Sequence, residues 1–299
     1  MSTLLLVDGN YYVYRSFHAI RGLTNSRGEP TNAIYGFIRA LRKMVADIQP
    51  DFAAVAWDQG LPRRRTEMHP AYKAQRAEMP EDMRPQIAFL RETAPLMGFT
   101  SLSLPDTEAD DLIATYAHAA RNKDMDVVIA TNDKDLMQLV DTHVHIYSTH
   151  KKDLELTKQG FALLSREDVK NKWGLPPEQI GELLALMGDS VDNIPGVEGF
   201  GQKTALRWLE KFGSLQNLID QSDQIDNPRI REVLMRSKEQ IFLNREMVRL
   251  DTDLPMPASL NDLALKINYP LFIQALKTCE FKSLLTEVEL ESRGQMELF

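Results

Sequence analysis

One cysteine, Cys279, is all the thiol chemistry in this 299-residue chain. That excludes an intramolecular disulfide and a cysteine-built metal centre, and it fits a reducing compartment. The six histidines form no HExxH pattern, so a zinc-protease site is absent as well. No apolar run approaches membrane-spanning length, and the opening MSTLLLVDG is too short to be a signal sequence. The expectation is a soluble, cytoplasmic protein with no membrane partner. There is no internal repeat and no low-complexity tract. Positive charge is also in short supply: the net charge is −8, which argues against a nucleic-acid partner unless the acids are concentrated in one place.

They are concentrated. Apolar, β-rich runs recur at Thr3–Asp8, Phe52–Asp58, Asp126–Thr131 and His143–Ser148, with helical patterns between them near Ala33–Ile48, Pro85–Met97 and Ala109–Arg121. This alternation predicts an α/β domain with a mostly parallel sheet covered by helices on both faces. Ligands of such sheets sit beyond the carboxyl ends of the strands. Asp8 ends the first run, Asp58 the second, and TNDKD places Asp133 and Asp135 just past another. TEADDLIA adds Glu108, Asp110 and Asp111 at the start of a helix. A helix N-terminus welcomes one carboxylate, but three repel each other unless a cation joins them. Beyond Ser165 the pattern changes to short helices, and GDSVDNIPGVEGFG brings Asp189 and Asp192.

Any one of these acids alone reads as a cap or a solvated turn. Nine carboxylates directed to one cleft require hard divalent cations with oxygen ligands, magnesium or manganese, and two such ions about 4 Å apart would clamp a phosphodiester. With these nine set aside, the remaining acidic and basic residues are almost equal in number, leaving surface free for basic patches. PGVEGFGQKT is one candidate: Gly196, Gly199 and Gly201 before a helix expose backbone N–H groups, and Lys203 and Thr204 follow, as in a phosphate site or an ordinary Gly-rich turn. The segment after Asp58 is another, with Arg63, Arg64, Arg65, Lys73, Arg76 and Arg84 and with Tyr72 among them. A charge run is usually a solvated face, but its place directly after an acid of the cluster favours gripping a strand. In NYYVYRSF most of the aromatics read as core, with one free to stack on a base and Arg15 beside them to meet DNA.

LLLVDGN, AYKAQRA, TEADDLIA, TNDKDLMQL and GDSVDNIPGVEGFGQKTA resemble, in order and spacing, the 5′ to 3′ exonuclease domain of bacterial DNA polymerase I and the wider flap endonuclease family. The resemblance extends through EFKSLL near the C-terminus. It implies a PIN-like nuclease core over residues 1–164 with a helical arch at about 60–86. It also implies a helical DNA-binding region over 165–285, with a helix-hairpin-helix at about 177–212 that often holds a potassium ion. By the same resemblance Asp8, Asp58, Glu108 and Asp110 match a first metal's cluster and Asp133, Asp135, Asp189 and Asp192 a second's. Asp111 is a neighbouring acid. Lys73 and Arg76 match arch residues at the scissile phosphate, and Tyr14 a base-stacking aromatic. The chain stops where a polymerase I would continue, as a free-standing nuclease or an excised domain would.

The implied activity is that of a structure-specific 5′ nuclease acting on branched or nicked DNA with a 5′ end, in primer removal and repair. A catalytically silent DNA-binding module and a PIN-type ribonuclease are the alternatives. The last residues, 286–299, read as a loose tail. Its ending QMELF resembles, through Gln295, Leu298 and Phe299, the peptide with which bacterial replication proteins dock on the sliding clamp.

Overall fold

Continuous apolar runs suit strands buried on both faces, and the four expected ones form. In the computed structural model, which describes residues 1–155 and 157–296 (backbone alone for 295 and 296), the first region runs β1 (Thr3–Asp8), α1 (Gly9–Ala19), α2 (Asn32–Ile48), β2 (Phe52–Ala56), α3 (Arg63–Met68), α4 (Arg84–Thr93), β3 (Thr100–Leu102), α5 (Ala109–Arg121), β4 (Asp126–Ala130), β5 (Val144–Ser148), α6 (Lys151–Leu154) and β6 (Ala162–Leu164). The six strands lie in the order β3-β2-β1-β4-β5-β6, parallel except for β6 against β5. The three-residue β3 and β6 went unread because they are too short to carry a periodic signal. One face of the sheet packs α5, with Leu112, Ile113 and Tyr116 buried, and the other packs α1 and α2 through Val13, Phe37 and Leu41.

Helices α7 (Arg166–Trp173), α8 (Ile180–Met187), α9 (Gln202–Phe212), α10 (Leu215–Asp220), α11 (Pro228–Arg236) and α12 (Lys238–Val248) follow. They have a core of their own around Leu183, Leu186, Trp208 and Leu209. α12 ties this core to the sheet, since Met247 and Val248 are buried in the sheet's core. The turn between α8 and α9 is built on glycine: Gly188 has φ of +72° and Gly199 of +78°. At Gly196 a Cβ would stand 2.0 Å from the Met187 carbonyl oxygen, so no side chain fits.

The C-terminal part differs from the sequence expectation. Where one helix over about 270–285 and a loose tail were expected, there are two helices, α13 (Tyr269–Thr278) and α14 (Lys282–Met296). They return to the sheet's own core, burying Phe272, Leu276, Phe281, Leu284 and Val288 there. Residues 286–296 are therefore not a flexible tail. Glu287 pairs with Arg39 at 3.1 Å and Glu291 with Arg42 at 2.6 Å, so acids that look solvated in sequence face the basic side of α2. The helices with a separate core, α8 to α12, end at Val248, and the chain from α13 onward packs with the sheet. Leu298 and Phe299 of the clamp-like ending, and the side chain of Gln295, lie outside the described residues. No helix among the described residues is long and apolar enough to cross a membrane.

Candidate metal centre and nucleic-acid interface

β1 delivers Asp8 directly into the cap of α1. One carboxylate oxygen accepts from the Tyr11 N–H at 2.9 Å and the other from the Thr131 hydroxyl at 3.0 Å. Asp58, just past β2, accepts from the Asn10 amide at 2.6 Å and from the Ala109 N–H at 2.8 Å, which fixes it to the first turns of α1 and α5. Asp110 has no hydrogen-bond donor among the described residues. Burial holds its carboxyl well above the ordinary value, and the neighbouring Asp133, Asp8, Glu108 and Asp58 push it further. Asp8 is likewise raised to about 7, by burial first and then by Asp58 and Asp133 against the pull of its hydrogen bonds.

Asp135, Asp189 and Asp192 each offer an oxygen within 4.8 Å of the others. Asp135 is raised to about 7 by burial and by Asp133, and its Oδ1 is buried without a hydrogen bond among the described residues. Asp133 thus acts on both groups of acids and stands between them. Carboxylates that are crowded and only partly balanced by Lys73, Arg76 and Lys134 form a donor set that fits hard divalent cations. Glu108, Asp110, Asp8, Asp58 and Asp133 could hold one ion, and Asp133, Asp135, Asp189 and Asp192 a second.

Asp111 does not join them. Its carboxylate turns the other way, into the guanidinium of the buried Arg65 and the Asp251 N–H at 2.9 Å. On a helix the residue after Asp110 points about 100° round the axis, so adjacent acids cannot both face one cleft. The run Arg63–Arg65 also departs from expectation. Arg63 pairs with Glu67 on the surface, while Arg64 and Arg65 bend inward onto the carbonyls that end α12. Neither Arg64 nor Arg65 is free to grip a strand.

In the arch segment α3 is helical, and a single 3-10 turn at Glu81–Met83 leads into α4. Pro70 and Pro80 interrupt the rest, and the chain turns at Tyr72–Arg76 against the 192–193 loop. Lys73 has φ of +56° and is held there by its N–H on the Asp192 carbonyl at 3.1 Å, while His69 Nε2 meets the Asn193 carbonyl at 3.0 Å. The Lys73 ammonium reaches Glu108, and Arg76 meets Asp192 at 2.9 Å. Burial would raise the Asp192 carboxyl, but Lys73, Arg76 and the Tyr72 hydroxyl hold it below its ordinary value. Tyr72 is 3% exposed, its hydroxyl 2.9 Å from Asp192 and 3.1 Å from Glu108, so it braces acids and does not stack on bases.

Tyr14 is half-buried against the core, and Arg15 reaches the Thr149 hydroxyl at 2.9 Å from an exposed position. Gly196, Gly199, Gly201 and Lys203 are exposed at the start of α9, with Thr204 one turn in. The sequence reading missed Lys134, whose ammonium bonds Asp189 at 2.6 Å and lies 3.6 Å from Asp135. It also missed Asn10 and Thr131. Lys134 lies inside TNDKD, where a cation between two acids was a usable signal.

Residues 3–174 match the 5′-3′ exonuclease N-terminal resolvase-like domain, and residues 175–270 match the 5′-3′ exonuclease C-terminal SAM fold. The chain is 38% identical to a 5′-3′ exonuclease of Aquifex aeolicus over 97% of this chain and 96% of that one. It is 42% identical to the thermostable DNA polymerase I of Thermus thermophilus over 86% of this chain, spanning 30% of that protein's length. Among solved structures, T5 5′-exonuclease with bound zinc superposes with a TM-score of 0.68 at 25% identity, covering 82% of this chain and 89% of that one. A bundle of acids at the carboxyl ends of a parallel sheet, beneath a basic segment and beside a glycine-built helical hairpin, is thus matched along nearly its whole length, and the chain belongs to the 5′-3′ exonuclease family.

Proposed function

We propose that the protein is a structure-specific 5′ nuclease that hydrolyses DNA phosphodiesters at 5′ flaps and nicks, in primer removal and repair, with two magnesium ions for which manganese substitutes. The observation that carries this reading is the convergence of acids from β1, β2, α5, the turn after β4 and the 189–192 loop directly under Lys73 and Arg76. When bound, the ions would supply a water of lowered pKa and neutralise charge on the leaving oxygen. The chain's own groups do the rest. Tyr11 N–H, Thr131, Asn10 and Ala109 N–H fix the orientation of Asp8 and Asp58. Lys73 and Arg76 place positive charge at the cleft mouth, where a phosphate's charge grows during cleavage.

The exposed N–H groups and Lys203 at the start of α9 hold the duplex backbone without reading bases, and the Gly-rich turn offers carbonyls to a potassium ion. Tyr14 and Arg15 meet the DNA near the cleft. The test is a product map with magnesium on 5′-flap, nicked and blunt duplexes and on single-stranded RNA. Release of short 5′ fragments from the flap is expected, and cleavage confined to RNA, or to none of these, would overturn the proposal. A sliding clamp is the proposed protein partner, through Gln295, Leu298 and Phe299. Deleting 295–299 is expected to abolish clamp binding and leave cleavage of free flaps intact, and unchanged clamp binding would remove the assignment.

A further inference from the structure

We infer that Arg65 is a positioning residue for the first metal's ligands, holding Glu108 in place and tying that place to the helical DNA-binding region. The inference rests on the nuclease reading above. Arg65 is 3% exposed, and all five of its N–H donors are used. Nε donates to the Met247 carbonyl at 2.8 Å. One Nη1 hydrogen goes to Glu108 Oε2 at 2.7 Å and the other to Asp111 Oδ2. Nη2 donates to Asp111 Oδ1 at 2.8 Å and to the Arg249 carbonyl at 3.0 Å. The guanidinium therefore joins three elements: the root of the basic segment, the first turn of α5, and the C-terminal end of α12.

Two features turn this bolt toward function. Arg65 takes only Oε2 of Glu108, leaving Oε1 to the Lys73 ammonium on the cleft side, with the Tyr72 hydroxyl shared between the two oxygens at 3.1 and 3.2 Å. And Asp111, which faces away from the cleft, balances the guanidinium's charge through two bonds, so Arg65 holds Glu108 in place without relying on that carboxylate alone for neutralisation. α12 packs against α8, the first helix of the Gly-rich hairpin, and Asn244 on α12 donates to the Ala185 carbonyl of α8 at 2.9 Å and to the Pro195 carbonyl in the turn at 2.7 Å. A displacement of the hairpin reaches the carbonyls of Met247 and Arg249 through α12, and through Arg65 it reaches Glu108. The grip on duplex and the readiness of the metal site are linked through this planar side chain from behind the cleft, as they are through Tyr72 between Asp192 and Glu108 from its mouth.

Arg65→Lys tests this because it keeps the positive charge but loses the fork, and three donors on a flexible stem cannot meet two carboxylates and two carbonyls together. The probe is manganese alone, titrated into the full chain and followed by electron paramagnetic resonance of free Mn2+, alongside metal-free affinity for flap DNA. Arg65→Lys is expected to weaken manganese binding about 10- to 100-fold with flap affinity unchanged, and cleavage is expected to recover as manganese is raised. A bolt that served stability alone would lower the melting temperature and leave manganese affinity, measured well below it, unmoved; that result would overturn the inference. If Arg65→Lys does not fold, Asp111→Asn is read in its place, with the same expected loss and the same overturning result. A wild-type chain that binds manganese but cuts no flap would overturn the nuclease reading while leaving the Arg65 comparison valid.

Discussion

Asp133 lies between the two groups of acids, so its charge is felt by both Asp110 and Asp135. Asp133→Asn, or Asp189→Asn in the second group, is expected to lower flap cleavage at least about 100-fold while flap binding stays measurable, since each removes a ligand charge and not the DNA-holding surface. Near-normal turnover in saturating magnesium would contradict it. For the cations at the cleft mouth, Lys73→Ala and Arg76→Ala are expected to reduce kcat more than affinity, because their charge counts most as the transition state forms. Lys203→Ala is expected to weaken binding and to lower its salt slope by about one. Equal behaviour at the two places would undo the division between them. The eight acids that converge were legible because each closes a strand, opens a helix or sits in a turn, positions that sequence patterns mark. The inward turn of Arg64 and Arg65 was not. α3 has only six residues, too few for a periodicity that separates a buried arginine from a solvated one.

Elements with a long apolar rhythm were readable and short ones were not. α2 and α5 appear within a residue of their expected bounds, whereas α14 beyond Leu285 was taken for a tail because its buried position there, Val288, lies among acids. Those acids are matched by Arg39 and Arg42 on α2, a partner more than two hundred residues away that no local pattern contains. Leu284 is fully buried in the core under the sheet, so Leu284→Ala is expected to cost about 2 to 5 kcal/mol of stability in urea denaturation. A change near zero would contradict the packing of α14 on the sheet's core. Nuclease activity on free DNA at low temperature is expected to survive the substitution, because no hydrogen bond or ion pair among the described residues joins α14 to the acids of the cleft.

For the molecule as a whole, the crowded acids set a pH dependence. Asp8 and Asp135 have carboxyls raised from 3.8 to about 7, so the folded chain holds their protons more tightly than the unfolded chain does. That contribution to stability is fully present below 3.8 and is lost as pH rises to about 7. A divalent cation takes the place of the protons, so magnesium is expected to raise the melting temperature more at about pH 8 than at about pH 5.5, with chelator-treated protein as reference. Equal shifts at the two pH values would contradict the charge crowding. The sheet order has a further consequence. β1, which carries Asp8, pairs with β2 and β4, and the last acid of the cleft is Asp192. During synthesis the chain leaves the ribosome from its N-terminus, so the first acids are exposed long before the sheet can close around them. No incomplete nascent chain shorter than that last acid holds the full set, and the contacts of Arg65 need Met247 and Arg249 as well. The spread of the acids along the sequence thus works as a safety catch, since the full set cannot assemble until the chain has been made as far as Asp192.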